Sequence, residues 1–170
     1  MEDNPRLNLA DLLSRQRLER YRAVVVIGEA ACGKSDYARS LAHQAGAHYL
    51  DLLSLFAARP DLAERVASTR PDALIGVVSE QVRQDTGGSG IALIDNADFL
   101  LDTWTERDRR DFGGRVLMLD DRQCPVVLCF FLQEDEALAD LRTRDVRPPN
   151  HGGPRVIRFE SLQALGAAAS

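Results

Sequence analysis

The segment Gly28-Glu29-Ala30-Ala31-Cys32-Gly33-Lys34-Ser35 has the residue types and spacing of a phosphate-binding loop, Gly-x4-Gly-Lys-Ser. Successive backbone N–H groups of such a loop converge on an anion. A helix beginning near Lys34 would add the positive end of its dipole. Lys34 would neutralise β- and γ-phosphate oxygens, and the Ser35 hydroxyl would ligate magnesium. The expected ligand is ATP with Mg2+, and the pattern carries no preference between ATP and GTP. The expected cofactor-binding residues are Gly28, Glu29, Ala30, Ala31, Cys32, Gly33, Lys34, Ser35 and Asp36. Composition points to the same place: of 21 lysines and arginines, Lys34 alone is lysine. A compact ammonium on a flexible stem suits the β- and γ-phosphates, and a planar guanidinium replaces it poorly. A bare glycine turn is the competing reading, and the apolar strand before the loop and the helix after it weigh against it.

The second motif is Ile91-Ala92-Leu93-Ile94-Asp95, an apolar strand ending in a carboxylate. Ligands in open α/β sheets gather at the carboxyl ends of strands, so Asp95 is expected to face Ser35 as a second oxygen for Mg2+. ATPases that place a strand between these two motifs commonly follow this aspartate with a glutamate; here the residue is Asn96. An amide can position a water but cannot take its proton. Asp98 and Glu29 are the nearest substitutes, each equally readable as a cap or a solvated carboxylate. Gln133, at the end of the fourth apolar run, falls where a γ-phosphate sensor would stand. Arg142, Arg144 and Arg147 fall where an arginine could reach a neighbouring subunit's site, although surface arginines are common in so arginine-rich a chain. The expected catalytic set is Lys34, Asp95, Asn96, Gln133 and Arg144. Cys32 reads as a small residue that fits the loop. His43, His48 and His151 share no metal spacing, and Trp104 and Phe112 read as packing residues.

These residues need elements to hold them. The patterning predicts a helix over Leu7–Arg20 capped by Asn8, and strands over Ala23–Ile27, His48–Leu53, Ile91–Ile94, Val126–Leu132 and Val156–Phe159. Helices are expected over Lys34–Ala45, ended by Gly46, and over Asp61–Ser68, Asp72–Gln84 and Glu134–Arg142. Ala97–Leu119 reads as largely helical with a break near Gly113-Gly114. Arg147–Pro154 reads as a loop, and a short helix closes the chain. Alternating strands and helices imply a parallel sheet covered on both faces by right-handed crossovers. The fold expected is a single α/β phosphate-loop NTPase domain with sheet order 5-1-4-3-2 and no helical lid. Its divisions are an N-terminal helix over 1–22, the domain over 23–165 and a fraying tail over 166–170.

Bulk properties narrow the partners. A net charge of −5 and a pI near 5.2 disfavour DNA binding by charge alone. A basic cluster at Arg15, Arg17, Arg20 and Arg22 leaves direct nucleic-acid contact open, with a solvated helix face as its plainer reading. The longest apolar run, Val126–Leu132, is far below the ~20 residues of a membrane span. No secretion signal is legible, and the three cysteines have no metal or redox spacing, so a reduced cytoplasmic setting is expected.

Together, the Gly28–Ser35 loop, His48-Tyr49-Leu50-Asp51-Leu52 and Ile94-Asp95-Asn96-Ala97-Asp98-Phe99-Leu100-Leu101 resemble the short P-loop protein of type 3 BREX phage-defence systems, BrxF. The likeness runs from about Leu9 to Phe159, and only the loop is a specific motif. That family resembles this chain in its length, its opening helix and an Asp-Asn pair after the third strand. It departs at Phe131-Leu132-Gln133, where an Asn-Gly pair is expected, which puts the sensor role of Gln133 in question. The resemblance implies an ATPase component of an anti-phage complex, working with larger BREX proteins or by self-association. Two other functions compete: a small-molecule kinase, with the Arg142–Arg155 region as lid and Asp51 holding the acceptor, and a non-catalytic nucleotide-binding subunit that gates a partner. The Asp95 spacing disfavours the kinase, and Asn96 favours the non-catalytic subunit over the ATPase.

Overall fold

A computed structural model describes residues 6–88, 90–139, 141 and 154–166. Five runs of apolar residues form the strands β1 (Ala23–Gly28), β2 (His48–Asp51), β3 (Ile91–Asp95), β4 (Val127–Gln133) and β5 (Val156–Arg158). They make one sheet in the order β2-β3-β4-β1-β5, and every pairing is parallel. Counted from the β5 edge, the same neighbours run β5-β1-β4-β3-β2. β1 is buried along its whole length because β4 and β5 flank it and helices cover both faces.

The period-2 alternation of the strands divides the core into two layers. Val24 and Val26 of β1, Leu93 of β3 and Cys129 and Phe131 of β4 point to one face. There they meet Leu9, Leu12 and Leu13 of α1 (Leu9–Gln16) and Ala38, Leu41 and Ala42 of α2 (Lys34–Ala45). The N-terminal helix is thus part of the same core as β1. Val25, Ile27, Ile94, Phe130 and Leu132 point to the other face. The remaining helices gather there: α3 (Leu52–Ala58), α4 (Pro60–Ala63), α5 (Pro71–Thr86), α6 (Asp98–Leu101), α7 (Glu106–Leu117) and α8 (Glu136–Ala139). Phe112 of α7 bridges Trp104 and Phe130, with ring centroids 5.3 and 5.7 Å away, and the Trp104 indole donates to the Thr69 carbonyl at 2.7 Å. Both aromatics pack, as their surroundings in the sequence suggest.

Several boundaries depart from the patterning. α1 begins at Leu9, with Asn8 accepting from the Asp11 N–H, because Leu7 bridges to Leu162 instead. β2 stops at Asp51, whose carboxylate accepts from the Ser54 N–H and starts α3, so Leu52 and Leu53 are helical. The helix expected over Asp61–Ser68 is split into α4 and a 3-10 turn, Val66–Ser68. The Ala97–Leu119 stretch breaks at residues 102–105, where the Thr105 hydroxyl caps α7; Gly113 and Gly114 lie inside that helix. Gly113 is there for packing, since a Cβ would lie 2.5 Å from a Leu141 methyl. β5 runs into a 3-10 turn, Phe159–Ser161, and residues 163–166 form neither helix nor strand, with the Gln163 N–H donating to the Leu7 carbonyl. Most of the segment read as a loop over Arg147–Pro154 lies outside the described residues. No helix among the described residues is long and apolar enough to cross a membrane.

Candidate functional site

The strand register fixes which residues meet. Gly28 pairs with Gln133 and Asp51 with Asp95, so the carboxyl ends of four strands share one edge of the sheet. At this edge the chain leaves β1, runs through Glu29–Gly33 and enters α2. Gly28 has no room for a side chain: a Cβ would lie 2.9 Å from both Cys32 Sγ and Phe159 Cβ. Ala31 at φ 57° and Gly33 at φ 96° take the left-handed backbone that turns the loop onto the helix. An alanine there costs about 1–2 kcal/mol, a strain of the kind that collects at functional sites.

The loop, the first turn of α2 and the ends of β3 and β4 enclose a cavity of about 340 Å³. Ala30, Ala31, Cys32, Gly33, Lys34, Ser35 and Asp36 form one wall, and Asp95, Asn96, Asp98 and Gln133 form the other. Lys34 is only 9% exposed. Its ammonium donates to the Glu29 carbonyl at 2.7 Å and the Gly28 carbonyl at 3.2 Å, and lies 3.6 Å from Cys32 Sγ. The lysine therefore folds back on its own loop. A buried ammonium held by carbonyl dipoles can transfer to a stronger anionic acceptor entering the cavity.

Asp95 is 3% exposed, and one oxygen accepts from the Tyr49 phenol at 2.7 Å. Burial, first, and this hydrogen bond raise the Tyr49 phenol well above its ordinary range, so it stays a donor. Asp98 accepts from the Gln133 N–H at 2.9 Å, tying α6 to the end of β4. Burial pushes the Asp98 carboxyl up; the Gln133 N–H and the Lys34 charge oppose the rise, and Asp102 and Asp95 add to it. Asn96 has φ 57°, and its side chain lies close enough to Asp51 across the edge to stabilise that carboxylate. Burial raises Asp51, but hydrogen bonds from Asn96, from Ser54 and from the Leu53 N–H outweigh it and hold the carboxyl below its usual range.

The sequence-predicted residues thus converge with a few exceptions. Gly28 and Glu29 take part through their backbone carbonyls rather than as cavity walls. Of the two substitute bases, Asp98 lines the cavity and Glu29 does not. Arg144, with Arg142 and Arg147, lies outside the described residues. Sequence reasoning does not reach Tyr49; only its place on β2, two residues before the capping aspartate, hints at this edge. His48, without an expected role, pairs with Asp85 of α5 at 3.0 Å.

The donor set suits magnesium. Ser35 and Asp95 supply a hydroxyl and a buried carboxylate to one cavity, and Mg2+ takes one or two protein oxygens and completes its shell from phosphate and water. Among the described residues no group of three His, Cys, Asp or Glu could hold a metal by itself.

No protein-family model matches the chain, and no curated protein sequence does.

Proposed function

We propose that the chain binds ATP with Mg2+ in the 340 Å³ cavity and hydrolyses it slowly when alone. The observation that carries this reading is Lys34, the one lysine of the chain, buried at the cavity wall and held by carbonyls of its own loop. An arriving triphosphate would draw the ammonium from the Gly28 and Glu29 carbonyls to its β- and γ-oxygens. The N–H groups at the start of α2 would bind phosphate oxygens alongside the helix dipole. Ser35 and Asp95 would hold Mg2+, which neutralises charge on the phosphates. The Gln133 side chain, exposed at the cavity, would contact the γ-phosphate. The chain would then act within an anti-phage complex of the BREX type, as the resemblance implies. Arg144 or a neighbour would complete the site of an adjoining subunit.

Slow turnover follows from the water-facing groups. Asn96 has no carboxylate, and its amide stands beside Asp51, whose charge it stabilises. On the wall that carries Asn96, Asp98 is the carboxylate left besides Asp95, and its raised proton affinity suits proton transfer. A second reading, a subunit whose nucleotide state gates a partner without turnover, is favoured by that same Asn96–Asp51 contact.

Single-turnover kinetics on the isolated chain separates the two. The hydrolytic reading expects slow conversion of bound ATP, lowered a further ~10²–10⁴-fold by Asp98→Asn and accelerated by Asn96→Glu. No conversion in wild type, with ATP bound, leaves the gating reading. Rapid conversion by wild type would overturn the claim of a weak base, and no ATP binding at all would refute both readings.

A further inference from the structure

Tyr49 lies on β2, beside Leu93 in the ladder and one pleat short of the Asp51–Asp95 pair. Its phenol donates to Asp95 Oδ2 at 2.7 Å. The Arg39 guanidinium of α2 lies within electrostatic reach of the same phenol and pairs with Asp36. Asp36 and Asp95 both line the cavity, so the partners of Arg39 and of Tyr49 stand on its walls. A carboxylate that is 3% exposed has little water to hold it, and its orientation is set by its protein partners.

We propose that Tyr49 is a positioning residue: by holding Asp95 Oδ2 it directs the other carboxylate oxygen into the cavity and so sets the affinity for the Mg2+ that accompanies the nucleotide. The inference rests on the nucleotide-binding reading above. Tyr49 touches neither nucleotide nor metal; it acts through Asp95. Groups that hydrogen-bond a metal-ligating side chain typically govern 10–100-fold of metal affinity, by fixing the ligand's direction and basicity. Arg39 stands one step further out. It is more exposed, and its charge acts on the phenol rather than on the carboxylate, so its effect is smaller.

The test is calorimetric titration of ATP into the full chain, in EDTA and then at rising Mg2+. For Tyr49→Phe, which keeps the ring, metal-free ATP affinity is expected to match wild type. The Mg2+ concentration giving half of its effect on ATP affinity is expected to rise about 10–100-fold. Arg39→Gln should move that midpoint the same way by about twofold to fivefold, and its midpoint decides the question if Tyr49→Phe does not fold. An unchanged midpoint, with ATP still bound, overturns the inference alone. Equal losses of metal-free and Mg2+-supported affinity would make Tyr49 a purely structural tie and overturn it as well. A wild-type chain that binds no ATP in either condition overturns the nucleotide reading and this inference together.

Discussion

Lys34 and Arg155 are the two buried cations of the described chain, 9% and 3% exposed, and they stand at opposite ends of β1. Arg155 donates to the Leu117 carbonyl at 2.6 Å and, at 3.5 Å, to the Ala23 carbonyl at the start of β1. Its guanidinium lies 5.1 Å from the centre of the Tyr21 ring. It ties the end of α7, the start of β1 and the approach to β5 into one knot. Lys34 also donates to carbonyls, but it lines an open cavity, and one of its acceptors, Gly28, already receives the Glu134 N–H at 2.8 Å. The planar guanidinium is locked by several fixed partners, whereas the ammonium can rotate to new ones. Burial of a cation therefore does not by itself mark a functional site. A buried cation that faces a cavity, with carbonyls as its present partners, is the better candidate.

The comparison breaks most directly at Lys34. Lys34→Ala should lower ATP affinity by about 10²-fold, the loss of charge-assisted hydrogen bonds to phosphate, while the thermal midpoint holds. Lys34→Arg should restore little of it, because the fork does not fit where the ammonium does. Calorimetric titration beside a thermal melt checks both, and equal ATP affinity in wild type and Lys34→Ala refutes the role.

Arg155→Ala should do the reverse. Losing the Leu117 contact and the stack on Tyr21 should cost about 2–4 kcal/mol of stability, with ATP affinity of the folded fraction retained. Denaturant unfolding measures the cost, and Arg155→Met, which keeps the stem packing, should recover part of it. A stability unchanged in Arg155→Ala would mean that this end of the sheet does not depend on the knot.

A smaller effect is expected at Asp51. Asp51→Ala removes the cap of α3 and should cost about 1 kcal/mol, or roughly 2–4 °C in the thermal midpoint. Asp51→Asn should retain most of the cap. An undiminished midpoint in Asp51→Ala would show that α3 is held by packing alone.

The smallest effect has a sign set by pH. Burial raises the folded-state affinity of Asp98 for its proton. Its contribution to stability is therefore full below the unfolded carboxyl range and is lost as pH rises through the higher folded value. Asp98→Asn, whose amide oxygen can still accept from the Gln133 N–H, should raise the thermal midpoint at pH 7 and leave it nearly unchanged at acid pH where both side chains are neutral. Melts across that range check it; a gain at low pH that vanishes at neutrality would reverse the assigned cause.

Much of this is legible in the chain itself. The runs that form β1, β3 and β4 are apolar and β-branched or aromatic, bounded by glycine or polar residues, as strands buried on both faces require. Glycine punctuation serves where the backbone needs a left-handed turn, at Gly33 and Gly46. It misleads at Gly113 and Gly114; at Gly113 the small side chain is required by Leu141 from a distant segment and not by any turn. The end of β2 is overrun for a related reason: Leu52 is apolar enough for a strand, but the Asp51 carboxylate captures the Ser54 N–H first and the helix follows.

Sequence alone determined the phosphate-loop pattern, the singular Lys34 and the strand-end Asp95, because each depends on residue type at short, fixed spacing. Only the tertiary structure decided that Tyr49 holds Asp95, that Asn96 stands beside Asp51, that Asp98 rather than Glu29 lines the cavity, and that Arg155 is a core residue. Each of these joins side chains whose separation along the chain is unrelated to their separation in space. The parallel register of β2, β3, β4 and β1 brings the first three to one edge and leaves Arg155 at the other, and no local pattern encodes that register.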